Sequence, residues 1–132
     1  MNDPRDKAHR ALKRLLANGP LAAVPKRPAD QQLLAALEAA RFDAHSSYLE
    51  REVNERLSTW LKTISEPFGI DHVTLRRLLV DSRLLTRTSS GSMYRLNLEN
   101  IRDVEAVREI DPADVLTEIR NARDRRKRQR AT

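Results

Sequence analysis

Apolar positions between Glu50 and Ile64 fall at Val53, Leu57, Trp60, Leu61 and Ile64. This i, i+4, i+7, i+8, i+11 stripe predicts an amphipathic helix with a polar far side. The run Ser65-Glu66-Pro67-Phe68-Gly69 interrupts it. A helical period resumes at Asp71, whose short carboxylate suits an N-cap, and turns Leu75, Leu78, Leu79 and Ser82 to one side. Leu84 to Thr88 and Met93 to Leu96 then flank Ser89-Ser90-Gly91-Ser92, two short extended runs around a Gly-bearing turn, which predicts a hairpin. Two helices with a short connection and a following ribbon outline a winged helix-turn-helix, in which the second helix enters the major groove and the ribbon lies along the backbone.

The flanks extend this pattern. Asp3-Pro4 opens a helix with a cap and then proline at its first position, and Ala8, Ala11, Leu12, Leu15 and Leu16 form its apolar stripe. Asn18-Gly19-Pro20 ends it, and a proline-bearing connector leads to Pro28. From Pro28 to Arg41 a helix is predicted with Leu33, Leu34, Leu37 and Ala40 on its packing face, the first of a three-helix core. Asp43 to Ser47 is a turn, Tyr48-Leu49 has room only for a stub of strand, and Ser47 with Glu50 has capping-box spacing. After the hairpin, Leu98, Ile101, Val104 and Val107 recur every third residue, a stripe that drifts around an α-helix. Asp111-Pro112 opens a last helix anchored only by Val115, Leu116 and Ile119. Beyond Ile119 no apolar stripe remains, so that segment is expected to fray until it meets a partner. The expected fold class is mainly α with a small β-hairpin. Residues 1–27 form an N-terminal helix and connector, 28–97 a winged-helix domain, and 98–132 a C-terminal helical segment with a basic, partly disordered tail.

Charge sharpens the picture. Residues 120–130 hold seven basic side chains and one acidic one, which accounts for the whole net charge of +6; residues 1–30 carry seven basic against three acidic groups. A near-neutral body with positive ends suits a polyanion, because fixed cations displace counterions condensed on phosphates; a solubilising tail is the bland alternative. The absence of cysteine excludes disulfides and thiolate metal sites. No apolar run is long enough to span a bilayer and the N-terminus lacks the order of a secretory signal, so the protein is expected in the cytoplasm and away from membranes.

With Leu75, Leu78 and Leu79 inward, the far side of the second helix collects Val73, Arg76, Arg77 and Val80. A guanidinium fork matches the O6 and N7 acceptors of guanine, so Arg76 and Arg77 are candidates for base readout, with His72 and Thr74 in the first turn near phosphates or base edges. Either arginine is equally able to tie the helix to Glu52 or Glu55 of the preceding one, and Arg77 is placed to pair with Asp81 four residues on. In the hairpin, Arg87, Thr88, Ser89, Ser90 and Arg95 are the donors a wing offers to phosphate. In the tail, Arg120, Arg123, Arg125, Arg126, Lys127, Arg128 and Arg130 supply non-specific affinity. His9, His45 and His72 have no metal-ligand spacing, and neither a phosphate-binding Gly-rich loop nor a nucleophile elbow occurs. No catalytic residue, metal or cofactor is therefore expected, and no enzyme.

Tyr48-Leu-Glu-Arg-Glu-Val-Asn54, Asp71-His-Val-Thr-Leu-Arg-Arg-Leu-Leu-Val-Asp81, Leu84-Leu85 with Arg87, and Gly91 with Tyr94 together resemble a bacterial domain family of unknown function whose members are associated with winged helix-turn-helix transcriptional regulators. The resemblance implies a small winged-helix-like domain with a regulatory role and no established chemistry. Many members carry a hydroxyl residue at the position of Leu49, which shifts the expected cap to Ser47. Residues and resemblance lead to one expectation, a DNA-binding transcriptional regulator, with homodimerisation through the terminal helices able to pair half-sites. Its rivals are a protein-interaction module built on the winged helix and an RNA-binding protein acting through its basic tail.

Overall fold

The computed structural model describes residues 3–90 and 92–131. Helices α1 (Pro4–Leu15) and α2 (Pro28–Ala39) lead into a two-residue strand β1 (Tyr48–Leu49), helices α3 (Glu50–Ile64) and α4 (His72–Asp81), and strands β2 (Leu85–Arg87) and β3 (Met93–Leu96). A 3₁₀ turn (Leu98–Asn100), a short α5 (Ile101–Glu105) and a long α6 (Pro112–Ala131) complete the chain. The three strands form an antiparallel sheet in the order β1-β3-β2, with Tyr48 opposite Tyr94 and Thr86 opposite Arg95. The fold is thus mainly helical with a small sheet, and residues 28–97 run helix, strand, helix, helix, hairpin, the element order expected from the sequence.

Local chemistry accounts for the element ends. Asp3 Oδ1 accepts from the amide of Arg5 and starts α1. Asp71 Oδ1 accepts from the amide of Thr74 at 2.7 Å and starts α4, and Asp111 Oδ1 accepts from Ala113 at the start of α6. Helix α3 departs from expectation. The Ser47 and Glu50 pair does not form its cap; instead the Leu49 amide donates to Glu52 Oε1 at 3.0 Å. Because β1 runs to Leu49, the N-cap falls there, two residues after Ser47, and Glu52 is the carboxylate three positions on.

The α3 stripe Val53, Leu57, Trp60, Leu61 and Ile64 is buried throughout, as are Leu75 and Leu79 of α4; Leu78 and Ser82 are half-buried. These meet Leu84, Leu85, Tyr94 and Leu96 of the hairpin in one cluster that also takes Leu12 and Leu16 from the α1 end and Val104, Val107, Ile110 and Val115 from the C-terminal segment. Helix α2 is the centre rather than one wall. It packs on α1, α4 and α5, so every residue from Leu34 to Ala40 is buried. The three-residue period of Leu98 to Val107 resolves into the 3₁₀ turn and the five-residue α5, which bury Val104 and Val107 and leave Leu98 exposed.

The α3–α4 connection is held from outside. Leu21 bridges to Ser65, the amide of Leu21 donates to Ile64 O and that of Glu66 to Leu21 O. The Ser65 hydroxyl donates to Leu21 O and accepts from the amide of Ile70. A Cβ on Gly69 would lie 2.8 Å from Ser65 Oγ and 2.9 Å from Leu21 O, so only glycine allows the turn to sit this close to the connector. Beside it, Phe68 adopts a φ of +63° and is wholly exposed. The segment beyond Ile119, expected to be partly disordered, continues α6 as unbroken helix to Ala131. Its Arg, Lys, Gln and Ala residues are strong helix formers, and the buried Val115 fixes the helix end from which they propagate.

Candidate nucleic-acid interface

Helix α4 lies on α3, α2 and β2. Burial of Leu75 and Leu79 turns Thr74, Arg77, Val80 and Asp81 to solvent, with Val73 half-covered. The N-terminal helix does not cover this side, and Val80 remains 37% exposed. Arg77 is exposed and forms no ion pair among the described residues. Its neighbour has a different environment.

The Arg76 side chain is 18% exposed, with Nη1 donating to Asn54 Oδ1 at 2.5 Å and Nη2 lying 3.7 Å from Glu50 Oε1. The same Glu50 oxygen accepts from the buried Tyr94 hydroxyl at 3.0 Å. Desolvation, then the Glu50 bond, raises the Tyr94 pKa. Arg76, Asn54, Glu50 and Tyr94 thus join α4, α3 and the sheet in one polar chain. One hundred degrees of helical rotation separates an arginine that fastens the fold from one that faces solvent. The partners expected on the preceding helix were Glu52 and Glu55; Glu52 is instead occupied in capping.

The first turn of α4 is less open to phosphate than its position suggests. Asp71 accepts from both the amide and the hydroxyl of Thr74, and those hydrogen bonds hold its carboxyl below the usual range. The anion that a helix N-terminus attracts is therefore built into the chain. His72 is half-buried beside Leu61, Phe68 and Ile70. In the hairpin, alternation puts Arg95 with Thr86 on the outer side, while Arg87 lies across from Tyr94 with its guanidinium 5.8 Å from that ring. The two wing arginines therefore face opposite sides. Thr88, Ser90 and Ser92 bond among themselves, with Thr88 Oγ1 also accepting from the amide of Met93, and Ser89 is exposed. Gly91, expected to shape this turn, lies outside the described residues.

Along α6 the side chains of Arg120, Arg123, Arg125, Arg126, Lys127, Arg128 and Arg130 are all exposed. Arg123 donates to Ala17 O at the end of α1 and anchors the basic half of the helix there. Arg126 Nε reaches back to Ala122 O at 3.4 Å. Ala17 lies four residues before Leu21, which is bonded to the α3–α4 connection, so basic helix and helix-turn-helix corner share a common support. Among the described residues no cluster of His, Asp and Glu is placed to hold a metal ion, and no helix is long and apolar enough to cross a membrane.

Several residues that organise this face carried no sequence signal of their role. Asn54 and Glu50 read as polar positions of an amphipathic helix, and Tyr94 as one residue of a strand. Glu38 shows a detectable pattern: it falls four residues after Leu34 and one after Leu37, inside the packing stripe of α2, and it is fully buried.

No curated protein and no solved structure gives a significant match to the chain. A bacterial family matches residues 20–96, a span that takes in the connector, α2 and β1 as well as the helix-turn-helix and hairpin. That span contains the support of the α3–α4 turn by Leu21, the central helix and the whole sheet, while α1, α5 and α6, which share the same core, lie outside it. By this match the chain belongs to the family described as uncharacterized protein conserved in bacteria (DUF2087).

Proposed function

We propose that this chain binds duplex DNA as a transcriptional regulator, laying the outer side of α4 in the major groove. The observation that carries this reading is the uncovered surface of Thr74, Arg77 and Val80, with Val73 half-covered beside them, on a helix otherwise packed by α3, α2 and β2. An α-helix fits the major groove, and an unpaired guanidinium among small and apolar side chains has the chemistry to read guanine while the valines contact thymine methyls. Arg95 and the exposed wing hydroxyl of Ser89 are donors for the backbone, and the basic half of α6 adds a sequence-independent term. Arg76 belongs to the support of this surface and not to the readout.

The test is duplex binding by fluorescence anisotropy across a salt series, for the full chain and for a chain ending at Ile119. The full chain should bind with a steep negative salt slope, and removal of the seven basic residues should make that slope shallower. An unchanged slope would remove the helix from the interface. Stronger competition by single-stranded RNA than by duplex would favour an RNA-binding protein instead.

A second reading, a protein-interaction module, draws on the wholly exposed Phe68 at the α3–α4 corner, since an aromatic side chain without cover is a common interface anchor. Retention on immobilised duplex DNA in moderate salt separates the two: an interaction module stripped of its basic helix passes through.

A further inference from the structure

We propose that the cleft between α2, α3 and the start of α6 binds a small zwitterion with neighbouring ammonium and carboxylate groups, of which an α-amino acid is the simplest. The cleft has a volume of about 470 Å³. At its floor the Glu38 side chain is fully buried, and neither carboxyl oxygen meets a hydrogen-bond donor from the described residues. The Nε of Arg41, three residues on, likewise meets no acceptor. Buried polar groups are almost always paired, so an acceptor and a donor without partners, on two side chains that line one cleft, call for a ligand that completes both.

The chemistry of the lining defines that ligand. Arg41 Nη2 donates to the carbonyls of Arg108 and Ile110, at 2.8 and 3.4 Å, which fixes the guanidinium and leaves its Nε–H to serve a carboxylate. A second guanidinium, that of Arg56, is held over the rings of Tyr48 and Phe42 at 4.8 and 5.8 Å. Against these stand Glu38, Glu55 and Asp111, so the lining is mixed in charge and suits a dipolar molecule better than a lone cation or anion. Burial pushes the Glu38 carboxyl well above its usual range against the pull of Arg41 and Arg56. An arriving ammonium supplies the charge and the donors that its ionised form lacks. The indole of Trp60 forms an apolar wall for the rest of the ligand. On α3, Glu50 and Asn54 face α4, whereas Arg56, Thr59 and Thr63 lie about half a turn away, so this cleft stands apart from the α4 surface and from the DNA reading.

Trp60 is the only tryptophan of the chain and reports on the cleft directly. The full chain is titrated at pH 7 with each standard amino acid, with n-butylamine and butyrate as single-group controls, by Trp60 fluorescence and calorimetry. At least one amino acid should give saturable binding that neither control reproduces. Glu38→Gln should weaken it by about tenfold or more, as loss of a charge-assisted bond does. Thr59→Phe, at the exposed rim, should block it even if Glu38→Gln fails to fold. The proposal is overturned if no amino acid saturates, if butylamine binds equally well, or if Thr59→Phe leaves binding intact.

Discussion

Replacing Arg76 by alanine should destabilise the fold, and replacing Arg77 should not. Arg76 is 18% exposed and holds Asn54 at 2.5 Å and Glu50 at 3.7 Å. A hydrogen bond from a charged donor contributes about 1.5–3 kcal/mol. The Glu50 contact adds little, because that side chain is 44% exposed and an ion pair open to water contributes about 0–1 kcal/mol. Some of the loss is recovered as water reaches Asn54, so Arg76→Ala should cost about 1–3 kcal/mol. Arg77→Ala, at a solvated position, should stay within about 0.5 kcal/mol of the wild type. Urea unfolding followed by far-ultraviolet circular dichroism measures both. A double-mutant cycle with Asn54→Ala should give a coupling of about 1–2 kcal/mol, since the two side chains touch. If the two arginine variants are equally stable and the cycle shows no coupling, the assignment of Arg76 to the fold and Arg77 to the surface is wrong.

Asp71→Ala should cost about 1 kcal/mol at pH 7 by removing the α4 cap. The Asp71 pKa is lowered from 3.8 in the fold, so its stabilisation is present above that value and is lost as pH falls through the folded pKa. The gap between wild type and Asp71→Ala should therefore close in acid, as unfolding midpoints at stepped pH will show. Glu38 behaves oppositely: its pKa is raised well above 4.5, so its contribution is intact below that pH and is lost as pH rises through the folded value. Glu38→Gln should gain stability relative to wild type as pH rises, measured by the same series. Gly69→Ala should cost about 1–3 kcal/mol in thermal or urea unfolding, because the new methyl meets the backbone oxygens of Leu21 and Ala22 at 2.9 and 3.0 Å.

Helical periodicity made most of the scaffold legible. The α3 stripe and the inward leucines Leu75 and Leu79 were readable because each occupies an amphipathic helix with one buried side. Helix α2 was harder, because contacts from α1, α4 and α5 bury its second half all round, Glu38 included, and a stretch with no exposed side carries no direction. The capping of α3 was misread because Ser47 has the better side chain, while the strand that carries the chain to Leu49 depends on pairing with Met93, a long-range contact. The arginine pair illustrates the limit at the surface. Adjacent residues of identical chemistry differ only in which lies within reach of Asn54 and Glu50, and that follows from how α4 crosses α3. The wing was legible as a hairpin; the opposite facing of Arg87 and Arg95 depends on register, where one residue of shift exchanges the faces.

The most direct measurement selects preferred duplexes from a random library with the full chain, then compares affinity for the selected and a scrambled duplex in wild type and Arg77→Ala. Wild type should prefer the selected duplex, and Arg77→Ala should lose about 1–3 kcal/mol of that preference at unchanged folding stability. Failure of the full chain to enrich any duplex, or an Arg77→Ala chain that discriminates as well as wild type, would contradict the placement of α4 in the major groove.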